Sequence, residues 1–327
     1  MRAPALLTEV TRAVGDEQIV ESVHVGHLVV TGPDGVEASL GDPDLITFVR
    51  SCAKPFQAAA CLELLAEHGD EAVATDLTDD EVAIAWASHR GEQIHLAAAT
   101  RLLARSGTLP TDLTCPPAYP DADQVWPPAS PGEPPSRIRY NCSGKHALFA
   151  LTGRAMGLRG AALLDPEGPL QQRALSGVEG AVGPLSGWGT DGCGAPAMRA
   201  GLRGLADGYA ALAAGGRWSR VRDAGLARPL LIGGTGRLES ALLAHGVVAK
   251  VGAEGVFAAG WVDDDGAPHG VAAKAADGAD RGAAVAVLAV LVDRGVVASD
   301  VWTPAAVTGG GRIAGQLRAA ATVRALV

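Results

Sequence analysis

A serine and a lysine stand three positions apart in the segment Arg50 to Gln57, where a polar loop gives way to an apolar, helix-like run. Three residues are almost one helical turn, so Ser51 and Lys54 would lie on one face within reach of each other. A neutral amine at Lys54 could take the proton from Ser51, which is the minimum arrangement for a serine nucleophile activated by lysine. The alternative is an N-cap serine followed by a solvated lysine, and spacing alone favours it because helix caps are common.

Lysine is scarce in the chain, so each lysine is a candidate for a role that arginine cannot fill. Only four of the 27 basic residues are lysines, namely Lys54, Lys145, Lys250 and Lys274. An amine can lose its proton when it is buried or close to other cations, whereas a guanidinium cannot. Lys274 ends an apolar strand-like segment, so its side chain must snorkel to solvent or occupy a polar cavity.

Two of the five cysteines, Cys142 and Cys193, lie on glycine-rich loops, and Lys145 and His146 follow the first of them closely. Zinc binds cysteine and histidine readily, and three protein ligands leave one position for water or substrate. On chemistry alone His146 is preferred to Lys145 as the third ligand, because a lysine must be neutral to coordinate. That the two thiols never meet is an equally open alternative. The odd, scattered cysteine set does not predict a disulfide framework.

The elements that would position these residues follow from hydrophobic periodicity and turn signals. Antiparallel strands are predicted over residues 8–41, and helices are predicted near Ser51, after the capping box that begins at Thr78, and after residue 146. Pro196 suits the first position of another helix. Strands are predicted at 229–232, 250–257 and 270–274. Ser51 would lie at the positive end of its helix, among free N–H groups that could hold an oxyanion.

Composition limits the classes of partner. The formal charge of −9 and the pI near 5.4 argue against nucleic acid or an anionic membrane as the main partner. The longest apolar run, 282–292, is too short to span a bilayer, and no secretory signal is visible, so we expect a cytoplasmic protein. Nine of the 20 prolines fall between Pro110 and Pro135, which predicts a lid or crossover loop.

Taken together, the motifs resemble a known family. The similar segments occur in order along nearly the whole chain: 9–12, 20–27, 50–57, 88–92, 141–146, 191–194, 234–237, 250–255 and 274–278. This is the ordered pattern of the serine/lysine L-asparaginases, the asparaginase II family. Each motif alone is weak, but so many in the right order form a specific signal.

The resemblance implies an α/β fold of the α+β type, in which helices pack around a mixed, largely antiparallel sheet as in serine β-lactamases and glutaminases. It also implies one catalytic domain over residues 1–327 and a homodimer. Ser51 would be the nucleophile and Lys54 its base, while Ser88 and Lys274 would form the assisting serine/lysine pair.

The resemblance further implies a zinc ion held by Cys142, Lys145 and Cys193, in place of the His146 preferred above. Arg50 and Asp191 would face a polar amino-acid substrate. Three residues depart from the family pattern beside its motifs, namely Cys52, Arg90 and Arg228. Because they lie beside the motifs, these residues could change the substrate preference and the turnover rate, whereas the expected class of reaction stays the same.

The expected function is hydrolysis of the side-chain amide of L-asparagine through an acyl-serine intermediate. Two alternatives remain open: a β-lactamase-like or peptidase-like acyl-serine hydrolase, and a non-enzymatic zinc-binding regulatory protein. An ammonia assay, a chromogenic β-lactam and metal analysis would separate the three.

Overall fold

An antiparallel sheet of seven strands forms the centre of the structure, a computed structural model that describes residues 2–68, 75–119 and 134–326. In chain order the strands are β1 (Ala5–Val14), β2 (Glu17–Gly32), β3 (Gly35–Leu40), β4 (Ile46–Phe48), β5 (Trp188–Thr190), β6 (Pro196–Gly201), β7 (Val248–Gly252), β8 (Val256–Val262), β9 (Pro268–Ala275), β10 (Val307–Gly309), β11 (Arg312–Gly315) and β12 (Leu317–Ala319). The main sheet has the order β12-β1-β2-β9-β8-β7, and β3 pairs with β2. A three-stranded sheet has the order β4-β6-β5, and β10 pairs with β11.

Helices cover both faces of the main sheet. In chain order they are α1 (Lys54–His68), α2 (Asp79–Ala85), α3 (Gln93–Ser106), α4 (Ser143–Ala155), α5 (Pro169–Val182), α6 (Leu202–Ala214), α7 (Ser219–Ala227), α8 (Pro229–Ile232), α9 (Leu238–Ala244), α10 (Asp280–Asp293) and α11 (Ala321–Arg324). None of the described helices is long and apolar enough to cross a membrane.

Strand alternation divides the buried side chains between two apolar cores. Val29, Ala258 and Ala272 face the core built with α1 to α7, whereas Val30 and Phe257 face the core built with α10. The predicted α/β class, a largely antiparallel sheet with packed helices, is therefore confirmed.

Strand β1 lies between two neighbours from opposite ends of the chain. It pairs with β2, the next strand, and with β12, in a register that places Thr8 opposite Ala319. An ion pair between Glu9 and Arg318, with 2.9 Å between Oε2 and Nη2, spans the second pairing. The main sheet thus joins residues from almost the whole length of the chain.

Several predicted elements are confirmed. The helix near Ser51 begins as a 3-10 turn and continues as α1, and Thr78 forms the predicted capping box with Glu81. Glycine favours a helix end, so the sequence also predicts that helices end at Gly69 and Gly107. Gly107 does end α3, in a left-handed conformation. Gly69 and much of the proline-rich loop lie outside the described residues.

Three predicted elements are wrong. Pro196 begins strand β6, because this segment pairs with β4 and β5, and the helix starts only at Leu202. The segment Pro229–Ile232 is a short helix that has proline at its first turn. The strand predicted over 250–257 is two strands joined by a turn, where Glu254 and Gly255 have φ of 63° and 68°.

Candidate active site

Ser51 and Ser88 open into one cleft with a volume of ≈ 300 Å³. Ser51 belongs to the 3-10 turn Arg50–Ala53, which runs directly into α1. Arg50 has a φ of 48°, a left-handed conformation that costs a residue with a side chain about 1–2 kcal/mol. A strained residue beside a candidate nucleophile is typical of functional sites, where the surrounding structure compensates for the strain.

Lys54 is buried and connects to Ser88. Its Nζ donates hydrogen bonds to the carbonyl of Ala87 at 2.5 Å and to Oγ of Ser88 at 2.9 Å. Among the described residues, no hydrogen bond joins Lys54 to Ser51. Lys54 is thus brought to the predicted site, but its hydroxyl partner in this structure is Ser88.

Two stacked histidines hold the loop that carries Ser88. Gly91 donates its N–H to Nδ1 of His89, so the proton of that ring lies on Nε2, which is 2.8 Å from Oγ of Ser143. The ring of His95 stacks on His89 with 5.1 Å between centroids, and its Nε2 lies 2.8 Å from the carbonyl of Leu230. Burial lowers the pKa of both rings, which keeps them neutral. The segment 88–92 therefore fixes one wall of the cleft.

Lys250 is a candidate site residue that the sequence reading did not select. It lies on β7, the edge strand beside the cleft, and it is completely buried. Burial, followed by the positive charge of Lys54, lowers its pKa to about 7. A lysine that is half neutral near pH 7 can act as a general base. The sequence does contain a signal for Lys250: it is one of only four lysines and follows a run of apolar residues.

Lys274 lies elsewhere in the sheet. It is on β9, which β8 separates from β7, a lateral distance of roughly 10 Å. Its Nζ donates to the carbonyls of Glu254 at 2.7 Å and Ala275 at 2.5 Å. Among the described residues, no hydrogen bond joins Lys274 to Ser88. The predicted pair therefore has no direct hydrogen bond in this structure, and the role of Lys274 stays a prediction.

The predicted zinc ligands do meet. Lys145 donates through Nζ to Sγ of Cys193 at 3.2 Å. A hydrogen bond from Cys193 holds the pKa of the Cys142 thiol well below its ordinary value. Burial alone would lower the pKa of Lys145, but the nearby sulfurs of Cys193 and Cys142 raise this pKa above its ordinary value. These three side chains form one buried cluster.

The donor chemistry of this cluster suits zinc. Two thiols, one of them readily ionised, are typical zinc ligands. Among the described residues, no three His, Cys, Asp or Glu side chains are arranged to hold a metal, so the third ligand would be Lys145, which would release its proton when the metal binds. His146 contacts Oγ1 of Thr114 through Nδ1 at 2.6 Å, while its buried Nε2 has no hydrogen-bond partner among the described residues.

Lys54 connects the thiol cluster to Ser88. Besides its bond to Ser88, it lowers the pKa of Cys142 through its charge and a hydrogen bond. Ser88 and the thiol cluster are therefore both neighbours of one buried lysine.

Arg50 and Asp191 are brought together by the small sheet. Strands β4 and β5 both run antiparallel to β6, so they are parallel to each other and end at the same edge. Arg50 and Asp191 follow those two ends, and Nη2 of Arg50 lies 3.2 Å from Oδ1 of Asp191. A guanidinium and a carboxylate side by side can recognise the charged groups of an amino acid.

Comparison with known proteins identifies a family that matches nearly the whole chain. A family model described as L-asparaginase II matches residues 9–319. No curated protein sequence matches the chain significantly. Such family membership supports an amidohydrolase function of the L-asparaginase type.

Similar solved structures include a β-lactamase (Mb2281c) from Mycobacterium bovis, with 16% identity over 79% of this chain and 89% of that one, and a TM-score of 0.36. Another is Mglu in its native form in 4.3 M NaCl, with 13% identity over 83% of this chain and 61% of that one, and a TM-score of 0.39. Both TM-scores are too low to establish a common fold or function.

Proposed function

Because the chain belongs to the L-asparaginase II family, we propose that it hydrolyses the side-chain amide of L-asparagine to aspartate and ammonia through an acyl-serine intermediate. The observation that carries this proposal is the single cleft shared by Ser51 and Ser88, with Lys54 and Lys250 buried beside it. Amide hydrolysis by a serine needs a nucleophilic hydroxyl and an amine that can accept its proton, and Lys250, with a pKa of about 7, is half neutral near pH 7.

In the proposed reaction, Oγ of Ser51 attacks the amide carbon and its proton passes to the lysine pair. Lys250 has the pKa that suits this transfer, and Lys54 orients the Ser88 hydroxyl, which can relay a proton to the leaving nitrogen. The carbon–nitrogen bond breaks, and ammonia leaves. Water then attacks the ester carbon, gives its proton to the same lysine pair, and releases aspartate and free Ser51.

The N-terminal turn of α1 would stabilise the oxyanion. Ser51 precedes the helix and so lies at the positive end of the helix dipole, while the N–H groups of Cys52 and Lys54 already donate to the carbonyls of Val49 and Ser51. The dipole favours the negative oxygen that develops in the transition state.

The amino-acid part of the substrate would bind at Arg50 and Asp191, with the substrate carboxylate on the guanidinium and its ammonium on the carboxylate. A zinc ion at Cys142, Lys145 and Cys193 would supply a fixed positive charge near the cleft. We also propose the homodimer that the family resemblance implies, which light scattering on the purified protein can test.

Ammonia release from L-asparagine tests the proposed reaction. We expect activity in the wild type and none in Ser51→Ala, whereas Ser39→Ala, on β3 and outside the cleft, should retain it. Full activity in Ser51→Ala would refute the acyl-serine mechanism. Hydrolysis of a chromogenic β-lactam without ammonia release would favour the β-lactamase-like alternative, and bound zinc without hydrolysis of either compound would favour the regulatory one.

A further inference from the structure

A second, larger cavity adjoins the cleft. Its volume is ≈ 730 Å³, against ≈ 300 Å³ for the cleft, and the two share Arg237, Val251 and Asp280 as a common wall. This cavity, here called the rear chamber, lies between the main sheet, the start of α10 and Trp302. A free amino acid needs only the cleft, so the rear chamber offers room that hydrolysis of asparagine does not use.

Glu239 gives the rear chamber its chemical character. Its residue surface is 2% exposed, it lines the chamber, and Oε1 has no hydrogen-bond partner among the described residues. Nε of Arg237 lies 3.6 Å from Oε1, which is too far for a hydrogen bond. A buried carboxylate oxygen without a donor is costly, so this oxygen is suited to an N–H group supplied by a ligand.

The backbone holds Glu239 in this position. A Cβ on Gly233 would lie 2.7–2.8 Å from the Glu239 carboxylate and Cγ, so the side chain packs directly on the glycine. The same glycine loop is tied to the opposite wall, since Nε1 of Trp302 donates to the carbonyl of Gly236 at 2.9 Å.

Arg237 also lines the rear chamber and forms a long ion pair with Glu239, whereas the other charges of the chamber have partners of their own. Glu21 pairs with Arg12 at 2.9 Å, Nε of Arg281 lies 2.9 Å from Nε2 of His24, and Asp280 accepts the N–H of Gly255 through Oδ1. Apolar side chains, including Leu238 and Phe257, form much of the remaining wall. Apolar walls around a buried anion suit an alkyl chain that ends in a protonated amine.

We propose that the rear chamber binds a protonated amine through Glu239, on the amide-nitrogen side of the reacting bond. The inference rests on the proposed function, which places the amino-acid end of the substrate at Arg50 and Asp191. Neither residue lines the rear chamber, so the chamber is separate from the groups proposed to hold the amino-acid end of the substrate. Its ligand is either the released ammonium or an amine carried on the amide nitrogen of a longer substrate.

Binding is tested first, without turnover, by the thermal unfolding midpoint in butylammonium chloride against equal concentrations of sodium chloride. We expect butylammonium to raise the Tm of the wild type. In Glu239→Gln the concentration of butylammonium needed for the same rise should be about tenfold higher, because one charge-assisted hydrogen bond is lost. Glu21→Gln is the matched control, because its carboxylate lines the same chamber but is paired with Arg12. If Glu239→Gln does not fold, Ala284→Leu, which fills the chamber, should abolish the response. Equal responses to both salts, or an unchanged response in Glu239→Gln, would overturn the proposal.

The second experiment identifies the source of the amine. N4-(2-aminoethyl)-L-asparagine and its uncharged analogue N4-propyl-L-asparagine are compared as substrates, with ammonia release from L-asparagine measured in parallel. A kcat/KM about tenfold higher for the charged amide, lost in Glu239→Gln, would support a longer cationic substrate. Equal kcat/KM values for the two amides, together with retained binding of butylammonium, would support a site for the released ammonium. If the proposed function is wrong, the wild type will release no ammonia from L-asparagine but will still show the Tm response to butylammonium.

Discussion

Replacing Lys250 with methionine should abolish activity and, at the same time, stabilise the fold. Lys250 is fully buried on β7, and burial, with the charge of Lys54, lowers its pKa from 10.5 to about 7. Folding at neutral pH therefore carries a free-energy cost, because the buried amine binds a proton less favourably than the same amine in the unfolded chain. Methionine has a similar length and no charge, so it removes this cost.

The size and sign of the effect follow from the two pKa values. Above pH 10.5 the amine is neutral in both the folded and the unfolded chain, and the cost vanishes. As the pH falls from 10.5 to 7, the unfolded chain binds the proton and the folded chain does not, so the cost grows. It reaches about 4 kcal/mol at about pH 7, compared with about 1 kcal/mol at about pH 9.5. Below pH 7 it stays constant.

Urea unfolding of the wild type and of Lys250→Met at both pH values measures the difference directly. The free energy of unfolding of the variant should exceed that of the wild type by up to about 4 kcal/mol at about pH 7, and this difference should shrink as the pH rises. Lys274→Met is the matched control, and its gain should be smaller because Lys274 is only partly buried. A variant less stable than the wild type at pH 7, or a difference that does not change with pH, would refute the assigned environment of Lys250.

Three further predictions concern the same site. The kcat/KM for L-asparagine should rise about tenfold between about pH 6 and pH 8 and then level, as the amine of Lys250 loses its proton; a rise that continues through about pH 9.5 would indicate an ordinary lysine. Metal analysis should find zinc in the wild type and in Cys61→Ser, but not in Cys193→Ser, and a metal-free wild type would contradict the proposed ligands. Gly144→Ala should destabilise the fold by about 1–3 kcal/mol in urea, because its Cβ would lie 2.0 Å from the carbonyl of Ile84. Gly180→Ala, on a helix with its nearest atom at 4.0 Å, should be neutral or stabilising, and equal losses in the two variants would exclude this close contact as the cause.

Local chemistry made part of the structure predictable. The Thr78 capping box, the left-handed Gly107 and the start of α1 beside Ser51 depend on neighbours within a few positions, and the structure contains all three. The contact between Lys145 and Cys193 matches the zinc set that the family resemblance implied. The zinc ion itself stays a prediction.

Tertiary pairing decided the elements that were predicted wrongly. Residues 196–201 have apolar spacing that fits a helix, but β4 and β5 provide hydrogen-bond partners on both sides, and those partners are distant in sequence. The position of Lys250 beside the cleft was not visible from the sequence for a similar reason. Lys250 and Lys274 both follow apolar strand residues, and only the strand order β9-β8-β7 places Lys250 at the edge beside the cleft.

The position of β1 between β2 and β12 has a consequence for synthesis of the protein in the cell. The edge of β1 that pairs Thr8 with Ala319 has no partner until the ribosome has made almost all of the residues between them. During that time a nascent chain exposes an unpaired strand edge, which can pair with other chains. Closure of the sheet then depends on one of the longest loops that the sequence allows, and such non-local pairing is slow. The edge of β1 is therefore open to aggregation until β12 has been made, and chaperones that bind exposed strands should act on this protein late in its synthesis.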